Sequence, residues 1–240
     1  MLLKIKKRVL KSLNKLKLSF LSSKQKEAMF YEEMFVKNNY WNSSKPNEEE
    51  VLRWEIIKSY LNLINKEFPH KDMTILDLGC GRGWLTNLMS NYGKITGIEP
   101  VEAVVKHAKK LYPDINFLCG TSDNLLNKNT FDKYDLIVSS EVIEHIKDID
   151  KINFIKNISN LTNESGYLIL TTPRKEIQEK WLKFMEPGQP IEDWISEEEL
   201  EKLVTDIGFT KVRVERFSIP PVKGAPKLEV YQLWLFKKND

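Results

Sequence analysis

Apolar residues change their period along this chain. Between residues 25 and 66 they recur every three or four positions, the mark of helices with one buried face. Met29, Phe30, Met34 and Phe35 lie on such a face between Glu27 and Asn38. A second predicted helix opens at Pro46-Asn47, with Glu48, Glu49 and Glu50 placing acids in its first turn. Val51, Trp54, Ile57, Tyr60, Leu61 and Ile64 form its apolar side. Pro69-His70-Lys71-Asp72 reads as a loop. From Thr74 the pattern changes to short apolar strands at 74–78, 94–99, 115–119, 134–139 and 166–172. Helices fall between them at 83–91, 101–110 and 141–159, the last with an irregular middle. A helix over 197–207 stops at Gly208, and strands 211–217 and 230–236 finish the chain, joined through Pro220-Pro221-Val222-Lys223-Gly224. Short strands separated by helices imply a mostly parallel sheet covered on both faces.

Composition narrows the setting. The 240 residues suffice for one domain with a small appendage. The expected division is an N-terminal helical segment over 1–66 and an α/β domain over 67–240. Two cysteines, Cys80 and Cys119, make no disulfide framework and point to a reducing, cytoplasmic setting. No zinc-type spacing of Cys and His is present. The net charge of +3 is unevenly distributed. Residues 1–26 carry nine Lys or Arg and no acid, leaving 28 basic and 34 acidic residues elsewhere. The body is therefore mildly acidic, which argues against DNA as a partner.

The basic N-terminus is neither a signal peptide nor a membrane span, because lysines interrupt every apolar run. Leu2, Ile5, Val9, Leu13, Leu16 and Phe20 recur at helical steps, predicting a basic amphipathic helix. It is expected either to touch a membrane surface through residues 1–21 or to pack on the body.

The run Ile75-Leu76-Asp77-Leu78-Gly79-Cys80-Gly81-Arg82-Gly83 carries the first chemistry. An apolar strand enters a glycine-rich turn, and the next strand ends in Glu99. Glycines let the backbone approach a ligand, and an acid at a strand end can accept hydrogen bonds from a ribose diol. A dinucleotide fingerprint needs G-x-G-x-x-G, but here the third glycine comes one residue early and Trp84 fills the fingerprint position. The pattern D-x-G-x-G-x-G instead resembles motif I of class I S-adenosylmethionine (SAM) methyltransferases. The resemblance covers roughly residues 70–240. It implies a Rossmann-like, seven-stranded, mostly parallel sheet with an antiparallel last strand and SAM as cofactor. Carried over residue by residue, Gly79 and Gly81 admit the methionine arm and ribose. Asp77 supports the turn or the amino group, and Glu99 binds the ribose hydroxyls. Ser122 and Asp123 frame the adenine, and Ser140 lies on the sulfonium side. Tyr31, Tyr40 and Trp41 are candidates for a lid, or else core aromatics.

The second chemical segment is Ser140-Glu141-Val142-Ile143-Glu144-His145. If it opens a helix, Glu141, Glu144 and His145 share one face at the carboxyl end of the sheet. Three readings stay open: a Mg²⁺ or Mn²⁺ site of two carboxylates and an imidazole, a metal-free general base at His145, or a structural cluster. E-V-I-E-H resembles ubiquinone-pathway O-methyltransferases and also small-RNA 2′-O-methyltransferases. No histidine follows His145, so the second imidazole of the RNA family is missing. A metal shell would need Glu186, Gln189, Glu192, Asp193 or water. Trp181, Phe184, Met185 and Trp194 would line an acceptor, and Arg174 could pair with an anionic group on it. The expectation is a SAM-dependent O-methyltransferase acting on a small molecule such as a quinol, a sugar or a phosphorylated metabolite. A non-catalytic SAM-binding protein and an RNA 2′-O-methyltransferase are the alternatives.

Overall fold

The computed structural model describes residues 21–68, 73–127, 132–184, 189–219 and 226–240. The basic amphipathic helix expected over residues 1–20, and its membrane contact, lie outside them, as do the 69–72 loop and the 220–224 link. Among the described residues no helix is long and apolar enough to cross a membrane.

The described residues begin with helix α1, Ser23–Glu32, capped by Ser22 in a capping box with Gln25. It runs into a π-helical turn, Glu33–Lys37. The sequence pattern expected one helix from Glu27; the Ser22 cap starts it earlier, and the wider turn replaces its end. Helix α2, Glu48–Ile64, opens with an Asn47–Glu50 capping box. Ile57, Tyr60, Leu61 and Ile64 are buried as expected. Val51 is instead exposed, and the charged Glu50 and Arg53 take buried positions.

The sheet follows: β1 (Thr74–Leu78), β2 (Lys94–Glu99), β3 (Asn116–Cys119), β4 (Tyr134–Ser140), β5 (Thr162–Pro173), β6 (Phe209–Ser218) and β7 (Glu229–Lys238). Their order is β3-β2-β1-β4-β5-β7-β6. Strands β1 to β5 pair in parallel, and β7 pairs antiparallel with both β5 and β6. The helices between and after them are α3 (Trp84–Met89), α4 (Glu102–Leu111), α5 (Ser122–Leu126), α6 (Asp148–Leu161), α7 (Gln178–Trp181) and α8 (Glu197–Thr205).

Strand alternation divides the core into two layers. On β1 and β4, Leu76 and Ile137 face one layer with Phe154, Ile155 and Ile158 of α6. Ile75, Leu136 and Val138 face the other, with Ile57, Tyr60 and Leu61 of α2. Each fully buried aliphatic side chain contributes roughly 1.5–3 kcal/mol, so helices cover both faces of a stable slab. The strand order reverses between β1 and β4, and ligands in open α/β sheets bind outside the carboxyl ends at such a point. Both chemical segments of the sequence flank it.

One expected element is not formed. Residues 141–147 do not begin a helix. Glu141 takes a left-handed φ of 57° and donates its N–H to the Thr171 carbonyl at 3.0 Å, prolonging the β4–β5 ladder. Ile143–His145 is a single 3-10 turn, and α6 starts only at Asp148.

Candidate active site

After β1 the chain turns through Gly79 at φ 82°. A Cβ there would come within 2.3 Å of a Val142 methyl, so the turn requires glycine for conformation and for space. Gly81 reaches the neighbouring strand: its N–H donates to Glu99 Oε2 at 3.3 Å. The Val101 N–H donates to Glu99 Oε1 at 3.0 Å. Each carboxylate oxygen of Glu99 thus holds one backbone donor and keeps acceptor capacity for another. Burial pushes Glu99 up to about 7, against the pull of those two backbone bonds. Asp77 beneath the turn is also buried, and accepts the Thr86 hydroxyl at 2.6 Å. Burial pushes it up to about 7, with Thr86 opposing. Two buried acids beside a glycine turn fit a ligand with a diol and a cationic arm.

Arg82, inside the glycine run, points away from this turn. It is 0% exposed and forms a two-pronged ion pair with buried Glu50, both contacts at 2.7 Å. Its Nε also donates to the Ser43 carbonyl at 2.7 Å, and Nη2 to the Lys45 carbonyl at 3.2 Å. His107 bonds the Asn42 carbonyl at 2.8 Å, and the Tyr112 hydroxyl donates to the Ser44 carbonyl at 2.5 Å. Four consecutive carbonyls, 42 to 45, are therefore held by side chains of the glycine run and α4 and its end. This strap delivers the upstream residues to the cleft. Phe35 lies 3.4 Å from the point where a Gly81 Cβ would stand. Tyr31 stacks on Phe35 with centroids 6.1 Å apart and meets the His145 ring edge-on at 5.9 Å. Tyr31 of the expected lid residues thus reaches the cleft; Tyr40 is 60% exposed and pairs with Trp41.

Around Ser122 and Asp123, expected to frame the adenine, the Asn157 amide donates to Ser122 Oγ at 3.2 Å and to Asp123 Oδ1 at 2.9 Å. Both residues line a cavity of about 410 Å³ that reaches His145 and Glu27. Ser140 Oγ lies 2.9 Å from Thr171 Oγ1.

Glu141, Glu144 and His145 gather at the end of β4, but each has its own partner. Glu141 Oε1 accepts the Thr171 hydroxyl at 2.8 Å, while Oε2 faces Arg53 at 3.6 Å. Glu144 Oε2 accepts the Thr172 hydroxyl at 3.0 Å. His145 Nδ1 lies 2.9 Å from the Ile191 carbonyl. A carbonyl only accepts, so Nδ1 carries the proton and Nε2 is the basic nitrogen, 3.7 Å from Glu144 Oε1. Burial raises both carboxyls above the ordinary range and lowers the imidazole. Among the described residues no three His, Cys, Asp or Glu side chains converge to hold a metal ion. Of the three readings, the Mg²⁺ or Mn²⁺ site gains no support, because the left-handed turn at Glu141 sends its carboxylate toward Arg53. Glu186 lies outside the described residues.

Arg53 was not legible as a site residue. It is buried, donates to Glu49 Oε1 at 2.8 Å and lies 5.0 Å over the Tyr231 ring. Burial works against its charge, but Glu141 and Glu49 prevail and hold its pKa above the usual value. A charged residue on the apolar side of α2 was the available signal. Arg174, expected to meet an anionic acceptor, is instead engaged: Glu197 lies 2.6 Å from its Nε, and Nη1 donates to the Glu229 carbonyl at 3.1 Å. Trp194 is buried in the body.

Known proteins place this chain in a family. A methyltransferase-domain family model matches residues 52–214. The ubiquinone biosynthesis O-methyltransferase of Pelagibacter ubique is 29% identical over 166 residues, covering 59% of this chain and 67% of that protein. The mitochondrial ubiquinone biosynthesis O-methyltransferase of Arabidopsis thaliana is 33% identical over 112 residues, covering 43% of this chain and 33% of that protein. The chain thus spans between one third and about two thirds of these relatives. In fold it is similar to the N-methyltransferase NodS of Bradyrhizobium japonicum in complex with S-adenosyl-L-homocysteine, with a TM-score of 0.67 at 18% identity, covering 89% of this chain and 99% of that one. Magnesium protoporphyrin IX methyltransferase of Synechocystis, with bound SAM, gives 0.64 at 15% identity, covering 91% and 98%. With its glycine turn, its strand-end acid and a family match over most of its length, the chain belongs to the class I SAM-dependent methyltransferases.

Proposed function

We propose that this enzyme transfers a methyl group from SAM to an oxygen of an uncharged small molecule, with His145 Nε2 accepting the proton. The orientation of His145 carries the reading: the Ile191 carbonyl fixes the tautomer that leaves Nε2 basic. That segment is itself tied down. The Asp193 N–H donates to the Glu144 carbonyl at 2.8 Å, and Lys151 donates to the Asp193 carbonyl at 2.5 Å.

SAM supplies an already activated methyl group, so the protein's tasks are positioning and removal of the acceptor proton. Gly79 and Gly81 admit the cofactor's arm, Glu99 takes the ribose hydroxyls, and Ser122 and Asp123 border the adenine. Burial keeps His145 neutral near pH 7 and able to take a proton. Glu144 Oε1 beside Nε2 stabilises the imidazolium that forms. Because Thr171, Arg53, Thr172 and Ile191 already engage the three side chains, the proton goes to His145 and no step runs through a metal.

The charge of the cleft narrows the acceptor further. The Tyr31 hydroxyl is held protonated by burial and by Glu144, Glu27, Glu99 and Glu192 around it. Glu27, Asp123 and Asp150 line the cavity with one lysine, Lys147, a balance that disfavours a phosphate or a carboxylate. With Arg174 paired to Glu197, we favour a neutral hydroxyl acceptor, a quinol or a sugar, over a phosphorylated metabolite.

The test is transfer of tritiated methyl from SAM to quinols, free sugars, sugar phosphates and total RNA, with wild type beside His145→Ala. Label in a neutral acceptor, lost in the variant, is expected. Label in RNA or only in phosphorylated acceptors, or equal labelling by His145→Ala, would overturn the assignment.

A further inference from the structure

The structure brings Phe35 to a place that the cofactor reading needs empty. Gly81 takes a left-handed φ of 51°, which favours glycine, and it has no side chain to hold a neighbour away from the turn. Three ring carbons of Phe35 stand 3.4–3.8 Å from its vacant Cβ position, which is ordinary contact with no layer of atoms between. Tyr31 continues the plug: it stacks on Phe35, abuts His145, and its hydroxyl donates to Gln189 Oε1 at 3.4 Å. The two rings fill the line from the glycine turn to the basic nitrogen.

The segment holding them is weakly attached. No residue of Ser23–Glu32 or Glu33–Lys37 is fully buried. The strap at 42–45 is the opposite, with all four carbonyls clamped. Between them Asn38 to Trp41 forms a turn closed by its own bonds: Trp41 N–H and Asn42 N–H donate to the Asn38 carbonyl at 3.0 and 2.9 Å. A loose element next to a fixed one places a hinge at 38–41. The π-helical turn carrying Phe35 adds local give, as such turns often do at functional sites.

We infer that residues 23–41 form a gate across the cofactor cleft, with Phe35 as the stopper that must leave before SAM can enter. This rests on the cofactor reading above. Cofactor binding then selects the open form, and the apparent affinity is reduced by the fraction of molecules that are open.

Stopped-flow mixing of the full chain with S-adenosylhomocysteine, followed by tryptophan emission, tests the gate, with calorimetry giving Kd. The observed rate is expected to saturate with ligand concentration in the wild type. Phe35→Ala is expected to raise the apparent on-rate about tenfold, as for a molecule relieved of a closed majority. Tyr31→Ala should move it the same way. A rate linear in ligand and equal in wild type and Phe35→Ala defeats the gate while leaving the cofactor reading intact. A faster off-rate with an unchanged on-rate makes Phe35 only a wall of the site and also overturns the gate. No binding to either protein defeats the cofactor reading and the gate with it.

Discussion

Replacing Arg82 by Met would test whether the ion pair under the glycine turn holds the cleft together. The pair has two contacts of 2.7 Å, with Arg82 0% and Glu50 3% exposed. Removing one member leaves a charge in the interior, which costs about 3–5 kcal/mol. The Ser43 carbonyl also loses its donor, but the residue is exposed and water can replace it, while the Lys45 carbonyl keeps the Ser43 hydroxyl at 3.0 Å. For a chain of this length each kcal/mol lowers the melting temperature by roughly 2–4 °C, so a fall of about 10 °C is expected. Glu50→Gln in the same background removes the stranded charge while still accepting the Asn47 N–H. The double variant should therefore recover at least half of the loss. Calorimetry on the four proteins of this cycle gives the coupling directly. A fall of less than about 3 °C in Arg82→Met, or a double variant no better than the single, would refute the reasoning.

Other expectations are more local. Gly79→Ala forces a left-handed alanine into a Val142 methyl and should cost several kcal/mol by denaturant titration, whereas Gly208→Ala, at φ 96° with open space, bears only the conformational cost of about 1–2 kcal/mol. Equal losses would show that Val142 moves aside freely. Burial pushes Asp77 and Glu99 up to about 7, and a diol or a cationic arm bonds the ionised form better. Affinity for S-adenosylhomocysteine should therefore fall as pH drops from 8 to 6, and fall less in Glu99→Gln; a flat profile would contradict the assignment. His145→Ala should lower kcat by about 10²–10⁴ with Kd for the cofactor product little changed. The acid limb of the wild-type rate should lie below the usual histidine value, since burial lowers that imidazole's pKa.

The sheet was legible because strand and helix periods are unlike, and because β1 and β2 end on residues no buried strand would otherwise carry, the glycine run and Glu99. Their bounds, 74–78 and 94–99, match the expectation. The segment after β4 was not legible. Glu141, Glu144 and His145 have helical spacing, and nothing local announces that Glu141 turns left-handed. That turn is fixed by Thr171 and Arg53, 30 and 88 positions away in the chain. Arg82 hid for a similar reason: inside a glycine-rich motif it reads as loop filler, and its partners Glu50, Ser43 and Lys45 lie far upstream. Phe35 was visible only as one apolar position of a helix. Its contact with Gly81 depends on where the strap leads the chain.

The strap has a consequence for how this protein tolerates change. Arg82, His107 and Tyr112 grip the main chain of residues 42–45, and every amino acid supplies the carbonyl they need. The identities of Ser44 and Lys45, which are exposed, are therefore nearly free to drift, while the three gripping residues are not. A fluorophore attached at Ser44 would sit a few residues from the hinge, on main chain clamped to the body through its carbonyls. It offers a fixed reference against which movement of the residues before it can be measured.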